Sequence, residues 1–178
     1  MLTQVQVTAA KNFMLSKNFS LMELIGSTSK PRLVEWPSEE IVAKLKSHAE
    51  DILQPLRDKF GSIRVTSGYR NPALNKAIGG ASNSIHMIYM KDRYLGTATD
   101  IQPMNERDLV KVMKYICESI PAVRRIIIYR DCEALGINSP FLHLDRDVRV
   151  PAGEAILMEK VDKKTYELFD RAEFENYK

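Results

Sequence analysis

A chain of 178 residues is long enough to bury a core and short enough for one domain. Its hydrophobic fraction of 44% and charged fraction of 28% are those of an ordinary globular protein, and no apolar run is long enough to span a bilayer. The net charge of +3 comes from Lys and Arg interleaved with Glu and Asp, which excludes the clustered basic stripe of a nucleic-acid binder.

In chain order, residues 1–37 read as irregular, apart from a short apolar helix between Leu21 and Leu24. The opening MLTQVQVTAAKNFML has no basic cluster before an apolar core, so no secretory signal is expected and synthesis in the cytoplasm is. Pro37-Ser38-Glu39-Glu40 opens a helix, with Ser38 as its cap and the two Glu side chains at its positive end. Ile41, Leu45, Ala49, Ile52, Leu53 and Leu56 recur at helical spacing. Pro55 is expected to kink this helix and Gly61 to end it.

Residues 62–67 alternate as a short strand, and residues 68–84 are rich in turn formers. Asn105-Glu106-Arg107-Asp108 starts a second helix with a buried stripe of Leu109, Met113, Ile116 and Ile120, and Pro121 ends it. Residues 125–129 and 141–144 read as strands. Residues 155–161 and 165–169 flank Asp162-Lys163-Lys164 as a hairpin. Helices and strands come in runs, which predicts an α+β fold in one small domain, with a mostly antiparallel sheet and helices packed on it. Cys117 and Cys132 sit in apolar contexts without metal-binding neighbours, as buried free thiols do.

The chain has three histidines. His48 lies among charged residues of the first long helix and reads as a surface or half-buried side chain. His86 follows a loop rich in Gly and Asn and precedes Gly96-Thr97-Ala98-Thr99-Asp100. His143 stands in Phe141-Leu142-His143-Leu144-Asp145, where strand alternation turns it away from Leu142 and Leu144. Two imidazoles and a carboxylate make the three-ligand set of a catalytic zinc, with water in the fourth position. By spacing alone, two distant histidines are more readily structural.

A longer pattern carries a resemblance. Ser67-Gly68-Tyr69-Arg70-Asn71-Pro72, Leu74-Asn75, Gly79-Gly80, Ser84 with His86, then Gly96, Ala98 and Asp100, and finally Phe141-Leu142-His143, follow one another in order. Together they resemble the zinc D-alanyl-D-alanine carboxypeptidases, in particular the subgroup of phage and bacterial cell-wall lytic enzymes. Asn18-Phe19-Ser20-Leu21-Met22-Glu23-Leu24 and Ile52-Leu53-Gln54-Pro55-Leu56-Arg57 are also similar to that subgroup. The resemblance spans residues 18–146, leaving residues 1–17 as an N-terminal extension and 147–178 as a hairpin extension. It implies zinc held by His86, Asp100 and His143 at a cleft. It further implies hydrolysis of peptide bonds in peptidoglycan stem peptides, by a carboxypeptidase or an endopeptidase of endolysin type. Arg70 would bind the substrate's carboxylate or carbonyl, where its fork of donors suits the task, and Ser84 would orient the site or touch substrate. Asn75 and the Gly79-Gly80 pair would shape the loop. The partner is a peptidoglycan peptide, a monomer is expected, and a phage-type release through membrane lesions would bring the protein to the wall.

Two departures stand out. The family places two residues between the His and the Gly, whereas residues 87–95 intervene here, as a flap over the cleft or an extra turn, with Asp92 a lesser rival for Asp100. A peptidase of this kind also needs a carboxylate to accept a proton from water. Where relatives carry an acid three residues before the last His, this chain has Pro140; where others carry Glu at the end of the preceding strand, it has Arg130. Asp131 is then the first choice for the base and Glu133 the second, with Asp145 as an acceptor that orients a ligand. Loss of the base would leave a zinc-containing wall-binding module or a structural part of a phage particle.

Overall fold

Asp100 and His143 face each other across neighbouring strands. In the computed structural model, which describes residues 1–176, β4 (Ala98–Pro103) lies antiparallel to β6 (Phe141–Asp145) with Asp100 opposite His143. β1 (Ile63–Ser67) flanks β4, and β5 (Arg125–Tyr129) flanks β6, both antiparallel. β7 (Ile156–Lys160) joins β5 in parallel, and β8 (Tyr166–Leu168) closes the edge against β7. The sheet of six strands therefore runs β1-β4-β6-β5-β7-β8, with one parallel pair. This is the α+β, mostly antiparallel architecture expected.

Helices cover one face. α3 (Glu39–His48) is capped by Ser38, whose hydroxyl accepts the amide of Ile41. It runs through a π turn, Ala49–Leu53, into α4 (Gln54–Phe60). The expected irregularity at Pro55 is thus displaced upstream. Proline cannot donate to the carbonyl four residues back and its ring crowds it, and a widened turn relieves both problems. α6 (Leu109–Ser119) is capped by Asp108 and buries Leu109, Val112, Met113 and Ile116. With Leu45, Ile52, Leu53 and Leu56 they pack against Ile126, Ile128, Leu142 and Leu144 in the core.

Within residues 1–37 the short helix expected near Leu21 is present, residues 26–37 are irregular apart from the 3-10 turn Pro31–Leu33, and an additional helix precedes them. α1 (Gln4–Asn12) begins with a capping box between Thr3 and Gln6, and α2 (Leu21–Ile25) with one between Ser20 and Glu23. Leu15, Phe19, Leu21, Leu24 and Ile25 are all buried. The turn-rich stretch also holds a helix, α5 (Pro72–Ala77), with Asn71 as its cap.

The insertion at residues 87–95 forms a hairpin of β2 (Tyr89–Met90) and β3 (Arg93–Tyr94). Lys91 and Asp92 turn it with φ of 48° and 63°, the left-handed pair of a two-residue hairpin turn. It leans on α3: the Tyr89 hydroxyl donates to Glu40, and Lys44 lies over the Tyr94 ring. It is a docked hairpin, not a flap over the cleft, and Asp92 is exposed at its tip. Cys117 and Cys132 are both free and half-buried, less enclosed than expected. Among the described residues no helix is long and apolar enough to cross a membrane.

Candidate metal centre

His86 leaves the loop on a short 3-10 turn, Ile85–Met87. One ring nitrogen, Nδ1, lies 2.7 Å from the carbonyl of Gly68 and so carries the proton that it donates there, which frees Nε2. Gly68 is required at that place: a Cβ would stand 2.2 Å from the carbonyl oxygen of Leu24. His143 is oriented from the other side. Its Nε2 donates to Oδ2 of Asp145 at 3.1 Å, which frees Nδ1.

The two free nitrogens and one oxygen converge. His143 Nδ1 is 2.8 Å from Asp100 Oδ1, His86 Nε2 is 3.4 Å from the same oxygen, and the two nitrogens are 3.3 Å apart. Ligands on a tetrahedral zinc with bonds of 2.0–2.1 Å stand about 3.3 Å from one another. Donor types and spacing therefore fit zinc, and each histidine has the backbone or carboxylate partner that fixes a metal-binding tautomer. All three side chains are buried or nearly so. Asp100 uses its other oxygen, Oδ2, to accept Nη2 of Arg70 at 3.1 Å, while Arg70 Nε donates to Ser67 Oγ at 2.9 Å.

Electrostatics follow from this packing. Burial disfavours charge on His143, yet hydrogen bonds to Asp100 and Asp145 outweigh it and raise its pKa to about 9. Burial lowers that of His86, against the pull of Asp100. Burial would raise Asp100, but the adjoining imidazoles hold its carboxyl well below the usual range. Without metal, the proton of the cluster therefore rests on His143 and is shared with Asp100.

Behind β4 lies His48, which is neither at the surface nor half-buried but fully enclosed. Its Nδ1 and Nε2 lie 2.8 and 3.0 Å from the hydroxyls of Thr97 and Thr99. These threonines alternate with Ala98 and Asp100, so the histidine pins the back of the strand that presents Asp100. Burial lowers its pKa to about 3. Helical periodicity gives no hint of this, because the polar partners come from a strand about fifty residues away.

A cavity of about 520 Å³ opens over the cluster. Arg70, Ser84, His86, Asp100 and His143 all line it, as do Arg125, Arg149, Tyr129, Phe141 and Tyr166. Asp131 and Glu133 do not. The carboxylate of Asp131 caps the short helix α7 (Cys132–Leu135), accepting the amide of Ala134 at 3.0 Å, and both residues are exposed. Arg130 is turned away and tied to Glu159, at 2.6 Å on each of two nitrogens, and to Glu173. Neither acid expected as the base therefore lines the cavity over the cluster. Among the described residues Asp100 is the only carboxylate lining the cavity. Arg125 and Arg149 escaped the sequence reading, although the alternation of His143, Asp145, Asp147 and Arg149 after the strand was a usable signal.

The family model described as Peptidase M15 matches residues 17–131, well over half of the chain. His86 and Asp100 fall inside the matched segment. His143 lies beyond it, and reaches them through the pairing of β4 with β6. No curated protein and no solved structure matched.

Proposed function

The chain belongs to the peptidase M15 family, a family of zinc metallopeptidases, and on that premise we propose that it hydrolyses peptide bonds in peptidoglycan stem peptides. The observation that carries the reading is the convergence of His86 Nε2, Asp100 Oδ1 and His143 Nδ1 at ligand spacing on the floor of a cavity of peptide size. These three side chains would hold the zinc. When bound there, zinc supplies a water of lowered pKa and polarises the scissile carbonyl.

The chain's own residues would do the rest. Arg70 has two of its three nitrogens on Asp100 and Ser67, so one edge of its fork is left to hold a substrate carboxylate or carbonyl oxygen. Ser84 stands on the same wall, where its hydroxyl would accept or donate to the peptide backbone. Tyr129 and Phe141 stack with ring centroids 4.2 Å apart and offer an apolar face to small side chains such as alanine. Trimming of a terminal D-alanine and internal cleavage of endolysin type both fit an open cleft of this kind. Made in the cytoplasm, such an enzyme would reach the wall through membrane lesions, as a phage or prophage lysin does.

One observation favours a second reading. Asp100 is the only cavity carboxylate among the described residues, and it is committed to the cluster, so no obvious carboxylate takes the proton of water. A zinc-stabilised module that binds wall peptides without cutting them would look the same. Incubating zinc-loaded protein with purified cell walls, then identifying released fragments by mass spectrometry, separates the two. Fragments with one new end, absent for His86→Ala and after chelation, support the peptidase and name its bond. Walls that bind the protein yet release nothing overturn it.

A further inference from the structure

Among the described residues three guanidinium groups line the cavity, those of Arg70, Arg125 and Arg149, against the single carboxylate of Asp100. The counter-charges of the second and third lie behind the wall. Asp145 is fully buried and accepts Nε and Nη2 of Arg125 at 2.9 and 2.7 Å. Asp147 is 2% exposed and grips Arg149 two-pronged, Nε to Oδ1 at 2.8 Å and Nη2 to Oδ2 at 2.7 Å. Its Oδ1 also accepts the amide of Arg149 at 2.9 Å, and its Oδ2 accepts Nη2 of Arg125 at 3.2 Å. One buried carboxylate thus fixes two cationic groups.

The three arginines differ in what they have left to give. Arg70 is committed to Asp100 and Ser67 and its side chain is 16% exposed; that of Arg125 is 24% exposed. Arg149 is the most open, at 34%, and Asp147 engages only one edge of its fork. The other edge, with Nη1, has no partner among the described residues. An ordinary surface ion pair is mobile and contributes little. Here the acid is buried and bonded to backbone, so the guanidinium is oriented before any ligand arrives, and a ligand would not have to order it.

We infer that Arg149, held by Asp147, grips a carboxylate of the substrate that is separate from the cut bond, so that the preferred substrate is an acidic peptide. This rests on the peptide-binding reading above and names the class of peptide. A carboxylate would meet the free edge of Arg149 by charge-assisted hydrogen bonds, while Tyr129, Phe141 and Met158 receive the apolar part of the chain. Arg149 is then a specificity residue for the bound peptide.

Two synthetic stem peptides ending in D-alanyl-D-alanine test this. One carries a γ-linked glutamate with its free carboxylate, and its twin carries the carboxamide there. Calorimetric binding to the zinc-loaded protein should favour the acid form by about tenfold or more, the scale of one charge-assisted pair. Arg149→Gln should lower affinity for the acid peptide to that for its twin, with zinc content and circular dichroism as in the parent. Arg149→Lys should recover part of the preference, since a point charge lacks the planar fork. A parent that binds the two peptides alike, or binds neither, overturns the inference, as does an Arg149→Gln variant that weakens both equally. Preference without cleavage of either peptide would leave the inference standing and remove the hydrolytic reading. Cleavage without preference would do the reverse.

Discussion

His143 donates its Nε2 proton to the carboxylate of Asp145, two residues along the same strand, at 3.1 Å. Residues two apart on a strand share a face, so this bond needs no long-range packing to form. It fixes the ring tautomer and leaves Nδ1 toward Asp100 and His86. Asp145→Asn keeps the shape but removes the charge that supports a metal-bound imidazole. The zinc dissociation constant, measured by competition with a chelating dye, should rise about 10- to 100-fold, the usual cost of losing such a partner. An unchanged constant would show that the bond is incidental to metal binding.

Zinc uptake should release protons. His143 has a pKa of about 9 without metal, raised by Asp100 and Asp145 against its burial, so at pH 7 it carries a proton on the nitrogen that zinc would take. A raised pKa means the metal-free protein holds that proton below about 9 and loses it above. Zinc affinity should therefore fall as pH drops from 9, by about tenfold per unit for one displaced proton. Titrations at pH 7 in buffers of different ionisation enthalpy should give about one proton released per zinc. A value near zero would place the proton elsewhere.

Acid should weaken the fold through His48. Its pKa is lowered by burial to about 3, while the unfolded chain binds a proton near 6.5. A lowered folded-state value means that the unfolded state holds more protons between these limits. Stability due to this histidine is complete above pH 6.5 and is lost as pH falls toward 3, with a slope of up to about 1.4 kcal/mol per pH unit. Urea midpoints of metal-free protein from pH 7 to 4 should decline more steeply in the parent than in His48→Asn. Parallel curves would mean that His48 charges without penalty.

Asp131 and Glu133 should be dispensable for turnover. Both are exposed and neither lines the cavity; Asp131 serves as a helix cap, a role asparagine fills nearly as well. Asp131→Asn and Glu133→Gln should therefore cut wall peptides within about twofold of the parent. General acid–base catalysis is worth about a hundredfold or more, so a loss of that size in either would return it to the mechanism.

The local signals in the sequence determined the strands, read at residues 62–67, 125–129 and 141–144 and each within one residue of its observed bounds, the cap at Ser38, the buried stripe of α6 and the chemical types of the candidate ligands. These are set by short-range periodicity and by residue type, which the chain carries wherever it folds. The pairing of His143 with Asp145 belongs here too, since alternation alone puts them on one face. What only the tertiary structure decided is which atoms meet across elements. Asp100 reaches His143 through the register of β4 on β6, and His86 joins them because Gly68 lets its loop approach Leu24. The burial of His48 against Thr97 and Thr99, the docking of the inserted hairpin on α3, and the turning of Arg130 to Glu159 and Glu173 were likewise invisible. Each depends on partners from remote segments, whose positions follow from the packing of the whole core and leave no mark at the residue itself.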